Sequence, residues 1–190
     1  MGDLTNNISY KELRPFGTPD TWKPAFPLQE LMIRNLAKNI QIVIDRVGGH
    51  VTFSSGVREA SDYNRLVKEG YNPSPKSDHF CGNIVPVDPI QQPDNYKQFG
   101  PFYMFAVGAA DTIPTIIIND FFNAAVNLNK IGITNFGQVI HEKDPIKKTE
   151  WVHLSNNKST FFSKDICNID PKSPYLYTID GGKSYNVYNG

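Results

Sequence analysis

Residues 28–47 carry Leu28, Leu31, Met32, Leu36, Ile40, Val43, Ile44 and Val47 at helical spacing. Such a stripe is stable in water only if another part of the chain covers it. Gly48-Gly49 follows at once and predicts the helix end, because glycine takes the left-handed backbone that closes a helix. The cover has to come from short segments. His50-Val51-Thr52-Phe53-Ser54 alternates and is β-branched, so it predicts a strand. Residues 61–68 read as a short helix ended by Gly70, and 84–87 as a strand interrupted by Pro86. The aromatic run 102–107 fits either a strand or a buried helical turn. A helix is predicted over 120–128 with Asn119 as its cap, and strands over 136–141 and 151–154. Near the end, Tyr175-Leu176-Tyr177-Thr178-Ile179 and Ser184-Tyr185-Asn186-Val187-Tyr188 flank Asp180-Gly181-Gly182-Lys183. Two alternating runs about an Asp-Gly turn predict a β-hairpin. Strands and helices in this order imply an α+β fold, a small antiparallel sheet with flanking helices.

Residues 1–27 differ from the rest. Pro15, Pro19, Pro24 and Pro27 punctuate a polar stretch, which predicts an extended N-terminal arm ahead of a single domain over 28–190. Trp22 and Phe26 are its candidate anchors. Lys+Arg 19 balances Asp+Glu 19, which argues against nucleic acid or a basic membrane-surface role. No apolar run is long enough to span a bilayer, and the N-terminus has neither the basic start nor the apolar core of a signal peptide. The expectation is a chain made in the cytoplasm without a signal peptide. Cys81 and Cys167 are too few for a disulfide framework and read as small hydrophobes in a reducing compartment.

The chemistry concentrates in two places. Ser77-Asp78-His79-Phe80-Cys81-Gly82 is followed by Asp88, and Glu150-Trp151-Val152-His153 lies on a predicted strand. Two imidazoles and a carboxylate with a spare glutamate are the parts of a catalytic zinc site, which needs three protein ligands, an open position and a base. His79, Asp88 and His153 are the candidate ligands. Glu150 is the candidate base. Arg58, in Ser55-Gly56-Val57-Arg58, has the planar fork that holds a developing oxyanion or a substrate carboxylate.

These motifs, with Asn64, with Trp151-Val152-His153-Leu154-Ser155 and with Asn135-Phe136-Gly137-Gln138-Val139-Ile140-His141-Glu142, resemble the M15 metallopeptidases. That family comprises D-alanyl-D-alanine carboxypeptidases, dipeptidases and phage endolysin peptidases. The likeness runs in order over about 28–188. It implies the fold shared by the hedgehog domain and the D-Ala-D-Ala peptidases, a zinc cofactor, and hydrolysis of peptidoglycan stem peptides by zinc-activated water. By position it makes His79 and His153 zinc ligands and Arg58 the substrate-polarising arginine. Glu150 matches the general base, with Glu142 as a second candidate.

The family aspartate stands seven places after the first histidine, and that place is Pro86 here. Asp88, two residues on, would keep the same strand face but shift its carboxylate by roughly 6.6 Å at about 3.3 Å per residue. Ligation then requires a bulge, which Pro86 could mark. Two readings follow. One is an active zinc D,D-carboxypeptidase or endopeptidase whose partner is a peptidoglycan peptide. The other is a catalytically degenerate module of the same fold in a bacteriophage particle, bound to other phage structural proteins through the arm and the terminal hairpin. The second would place the protein in the virion.

Overall fold

The computed structural model describes residues 2–71, 73, 77–81, 84–86, 103–161 and 175–189. The apolar stripe becomes α2, Pro27–Val47, with Pro27 in its first turn. Gly48 closes it at φ 76, its N–H donating to the Ile44 carbonyl at 2.8 Å. The buried face is Met32, Ile33, Leu36, Ala37, Ile40, Val43 and Ile44. Ile33 is thus inside at 1% exposure while Leu31 is outside at 56%, a rotation of the predicted stripe by part of a turn.

The cover is a six-stranded sheet in the order β1-β4-β6-β5-β7-β8. Its members are β1 Val51–Ser55, β4 Ala109–Pro114, β5 Phe136–Asp144, β6 Thr149–Asn156, β7 Tyr175–Thr178 and β8 Asn186–Val187. The sheet is mixed, because β7 runs parallel to β5. The expected purely antiparallel sheet is corrected on that point. β7 lies on the edge of β5 opposite β6. The terminal hairpin is present, with Leu176 opposite Val187. A separate pair, β2 Ile84–Pro86 and β3 Tyr103–Phe105, forms its own two-stranded sheet. Pro86 sits there in register with Tyr103, and the pairing is regular over the described residues 84–86. α3 is Ala60–Lys68, and α4 is Ile118–Lys130, two residues longer than predicted at each end.

α2 and α4 lie on one sheet face. Phe121, Phe122, Ala125 and Val126 of α4 join the α2 stripe and Val139, Val152 and Leu154 of the sheet in the core. Alternation along β6 sends Val152 and Leu154 to this side and Trp151 and His153 to the other. Asn156 at the end of β6 is buried and bridges the layers. Its amide nitrogen donates to Met32 O at 2.8 Å and Val107 O at 2.6 Å, and its oxygen accepts from Asn35 Nδ2 at 2.9 Å.

The N-terminal segment is an arm packed on the domain and partly helical rather than extended throughout. It forms a short helix, α1 Tyr10–Leu13, and buries Ile8, Tyr10 and Leu13 completely or nearly so. Its prolines prevent long regular structure, but the apolar residues between them reach the core. Trp22 also packs against the core, as expected of an anchor, whereas Phe26 stays partly exposed. Cys81 is buried and free, and burial pushes its thiol pKa up. Cys167 and Asp88 lie outside the described residues. Among the described residues, no helix is long and apolar enough to cross a membrane.

Candidate metal centre

The sheet face away from α2 and α4 carries the site. β6 pairs with β4 so that His153 is opposite Asp111, and with β5 so that His153 is also opposite Ile140. Register partners across an antiparallel pair share a face, so Asp111 and His153 project together. His79 arrives from outside the sheet on a 3-10 turn, Asp78–Phe80. Three bonds hold that turn. The Ser77 hydroxyl accepts from His79 N, Gly108 N donates to Asp78 O at 3.0 Å, and Arg58 N donates to His79 O at 2.8 Å.

His79, Asp111 and His153 are buried and offer ligand atoms within 4.8 Å of one another. Among the described residues they form the cluster that could hold a metal ion. Asp111 Oδ1 is 2.9 Å from His153 Nδ1 and 3.2 Å from His79 Nε2, and the two ring nitrogens are 3.3 Å apart. Donors about 2.0–2.1 Å from one tetrahedral ion are separated by about 3.3 Å, so the three spacings suit a single small cation. The tautomer suits it too. His79 Nδ1 lies 2.6 Å from the Gly56 carbonyl, which can only accept, so Nδ1 carries the proton and Nε2 presents its lone pair to the cluster.

Electrostatics hold His79 and Asp111 in the ligating form, whereas His153 must give up its proton to a bound cation. Burial, reinforced by the Arg58 charge, lowers the His79 pKa to about 4, so its ring is neutral at pH 7. Burial opposes ionisation of Asp111, but His79 and His153 outweigh it and hold the carboxyl well below the usual range. Burial also opposes charge on His153, yet its hydrogen bond to Asp111 and the nearby Asp111 and Glu142 carboxylates raise its pKa. Arg58 braces the carboxylate from behind, Nη2 to Asp111 Oδ2 at 2.8 Å and Nε to the Ser55 hydroxyl at 2.8 Å. A bulge between Phe53 and Ser55 in β1 turns Ser55 toward Asp111 and makes this possible.

The cluster opens into a cavity of about 540 Å³ whose walls include Glu142, Trp151, Ile140, Leu176 and Tyr185. Glu142 is opposite Trp151 in register and on the His153 side of the sheet. Burial, then the Asp111 charge, raises its pKa to about 7. Glu150 points the other way. It stands an odd number of residues from His153 on an unbroken strand, so it faces the helices, where its Oε1 meets His141 Nε2 at 2.7 Å. His79, His153, Arg58 and Glu142 therefore come together, and Glu150 does not join them.

Asp111 was not among the expected ligands. It follows His79 by 32 residues, and β2, β3 and their connection lie between. The signal that could have found it is the segment Ala109-Ala110-Asp111-Thr112-Ile113. A lone acid among small and β-branched residues there reads as a strand with one polar position aimed at a site.

Gly56 connects the N-terminal segment to the cluster. A Cβ added there would lie 2.5 Å from the Leu13 carbonyl oxygen. Gly56→Ala should displace that backbone and the carbonyl that fixes His79. The expected outcome is a melting transition lowered by about 1–3 kcal/mol of stability. Metal affinity should fall by about 10–100-fold, measured by calorimetric titration.

No family model matches this chain, and no curated protein and no solved structure matches it with significance.

Proposed function

We propose that this protein is a zinc-dependent amide hydrolase of the M15 type that cleaves D,D-peptide bonds in peptidoglycan stem peptides. The observation that carries the reading is the spacing of His79, Asp111 and His153 around one point, open to a cavity that also holds the Glu142 carboxyl. Two imidazoles and one carboxylate form a donor set that suits zinc. The substrate class comes from the sequence motifs that resemble the family.

A cation held by the three ligands would supply Lewis-acid polarisation of the scissile carbonyl and acidify water. The chain's own groups do the rest. The Gly56 carbonyl fixes the His79 tautomer, and Arg58 fixes the Asp111 carboxylate. Glu142 takes a proton from the attacking water and returns it to the departing amine nitrogen, a role suited to a carboxyl whose pKa is about 7. Ile140, Leu176 and Trp151 line the cavity with apolar surface, which strengthens each electrostatic contact inside it.

One ground for a non-catalytic particle protein is Pro86 at the family ligand position. Asp111 offers the carboxylate from another strand, which weakens that reading.

The test is elemental analysis of purified protein together with hydrolysis of muropeptides. About one zinc per chain and release of D-alanine or of a cleaved cross-link are expected. Protein that binds no zinc, or binds it and leaves muropeptides intact, overturns the proposal.

A further inference from the structure

One polar group in the cavity is used by neither the metal cluster nor Glu142. Tyr185 is delivered by the connection of the terminal hairpin, residues 179–185. That connection is built around Asp180. Its Oδ1 accepts from Thr178 Oγ1 at 2.6 Å, Lys183 N at 3.0 Å and Ser184 N at 3.1 Å, and its Oδ2 accepts from Ser184 Oγ at 2.6 Å. Gly181 N donates to Lys143 O at 3.0 Å, which pins the loop to β5 beside Glu142. The loop is therefore held against the site by directed bonds on both sides.

Gly182 sits between the tyrosine and the carboxylate. A Cβ placed on it would lie 2.9 Å from the Tyr185 hydroxyl oxygen and 3.6 Å from Glu142 Oε2. Both oxygens thus border the same small space, and Gly182 leaves it clear. Its φ of +81 also favours glycine. The Tyr185 hydroxyl makes no hydrogen bond to any described residue, whereas Tyr188 in the same hairpin donates to Asn123 Oδ1 at 2.7 Å. Tyr185 is 47% exposed, so its desolvation is partial; that burial and the Glu142 and Asp111 charges raise its pKa, and the phenol keeps its proton at neutral pH.

A hydrolase needs a donor for the oxygen that becomes negative as the carbonyl turns tetrahedral. Arg58 is expected by resemblance to serve; two of its five N–H groups go to Asp111 and Ser55, so a second donor would share the oxygen with it. We propose that the Tyr185 hydroxyl is that second donor, a catalytic residue supplied by the C-terminal hairpin. The assignment rests on the hydrolase reading above. In the step, the water oxygen bonds to the carbonyl carbon and the C–N bond breaks. The water proton passes through Glu142 to the amine, and Tyr185 donates a hydrogen bond without losing its proton.

The test compares wild type with Tyr185→Phe, which keeps the ring, using zinc-loaded protein. The substrate is an N-acylated D-alanyl-D-alanine peptide, and the probe is its phosphinate isostere, whose tetrahedral anion mimics the altered carbonyl. Tyr185→Phe should lower kcat by about 10²-fold with KM within about twofold. It should weaken phosphinate binding by about 10–100-fold while zinc affinity and melting temperature hold. Gly182→Ala places a methyl against the hydroxyl and should reproduce the phosphinate loss with Tyr185 intact. Wild-type hydrolysis with Tyr185→Phe unchanged in kcat and phosphinate affinity overturns this assignment alone. A Tyr185→Phe loss that tracks lost zinc or lost folding also overturns it, in favour of a structural role. Wild type that holds zinc but neither hydrolyses the peptide nor binds the phosphinate overturns the hydrolase reading, and the tyrosine assignment with it.

Discussion

Asp111→Ala should lose metal binding, while Asp88→Ala should retain it. The side chain of Asp111 is 9% exposed, lies within hydrogen-bonding distance of both histidines, and is braced by Arg58. A neighbour that merely orients a ligand is worth about 10–100-fold in metal affinity, so removing the carboxylate itself should cost more than about 100-fold. The same substitution strands the Arg58 guanidinium, which is 13% exposed, without its ion-pair partner. Breaking one side of a buried pair costs about 3–5 kcal/mol. Metal-free Asp111→Ala should therefore also unfold at lower urea. Zinc titration of both variants and urea denaturation of the first separate the alternatives. Full zinc affinity in Asp111→Ala with its loss in Asp88→Ala would reverse the ligand assignment made here.

Glu142→Gln should lose about 10²–10⁴-fold in kcat with zinc affinity kept, and Glu150→Gln should keep wild-type kcat. The two glutamates lie on adjacent paired strands but face opposite sides of the sheet. Glu142 also gives the metal-free protein a distinctive pH dependence. Its carboxyl titrates at about 7 when folded against 4.5 as the reference value. Between those values the native state binds more protons than the unfolded state, so stability falls as pH rises through the window. The full effect is up to about 3 kcal/mol and is complete above pH 7. Glu142→Gln has no such group. The metal-free variant should be more stable than wild type at pH 8 and equal to it below pH 4.5. Denaturant melts across this range read the difference. A wild type that gains stability over the window relative to Glu142→Gln would mean that the carboxyl is not held in its acid form. If both variants have equal kcat, Glu142 is not the base.

The Glu142 and Glu150 pair illustrates what was legible from the residues. On a strand that continues back to 150, a side chain three positions before His153 must face the opposite side. The sequence nevertheless points to Glu150 as the base, because the predicted strand begins at 151; β6 extends back to Thr149, and parity then sends Glu150 to the helix face. The partner of His141 was less accessible, because it depended on how β5 and β6 align. Residues 28–47 gave a helix with nearly the expected limits, since the stripe and the Gly48 stop are local. Which residue filled the last part of the buried face, Ile33 rather than Leu31, depended on where the sheet lay against it. The hairpin around Asp180 was equally readable, because its turn chemistry is contained in consecutive residues.

Local pattern determined on its own the long helix, the terminal hairpin, the strand character of the histidine segment, and His79 and His153 as the imidazoles to watch. The helix, hairpin and strand rest on backbone preference and periodicity, which act over a few residues; the two histidines rest on residue type and on the motifs that resemble the family. Only the tertiary structure decided that Asp111 is the carboxylate between them, that Glu142 rather than Glu150 shares their cavity, and that the N-terminal segment joins the core. It also decided that β7 runs parallel to β5. Each of these depends on strand register or on packing between segments far apart in the chain. A shift of one residue in register would exchange the two faces of a strand, and no short stretch of sequence carries that information.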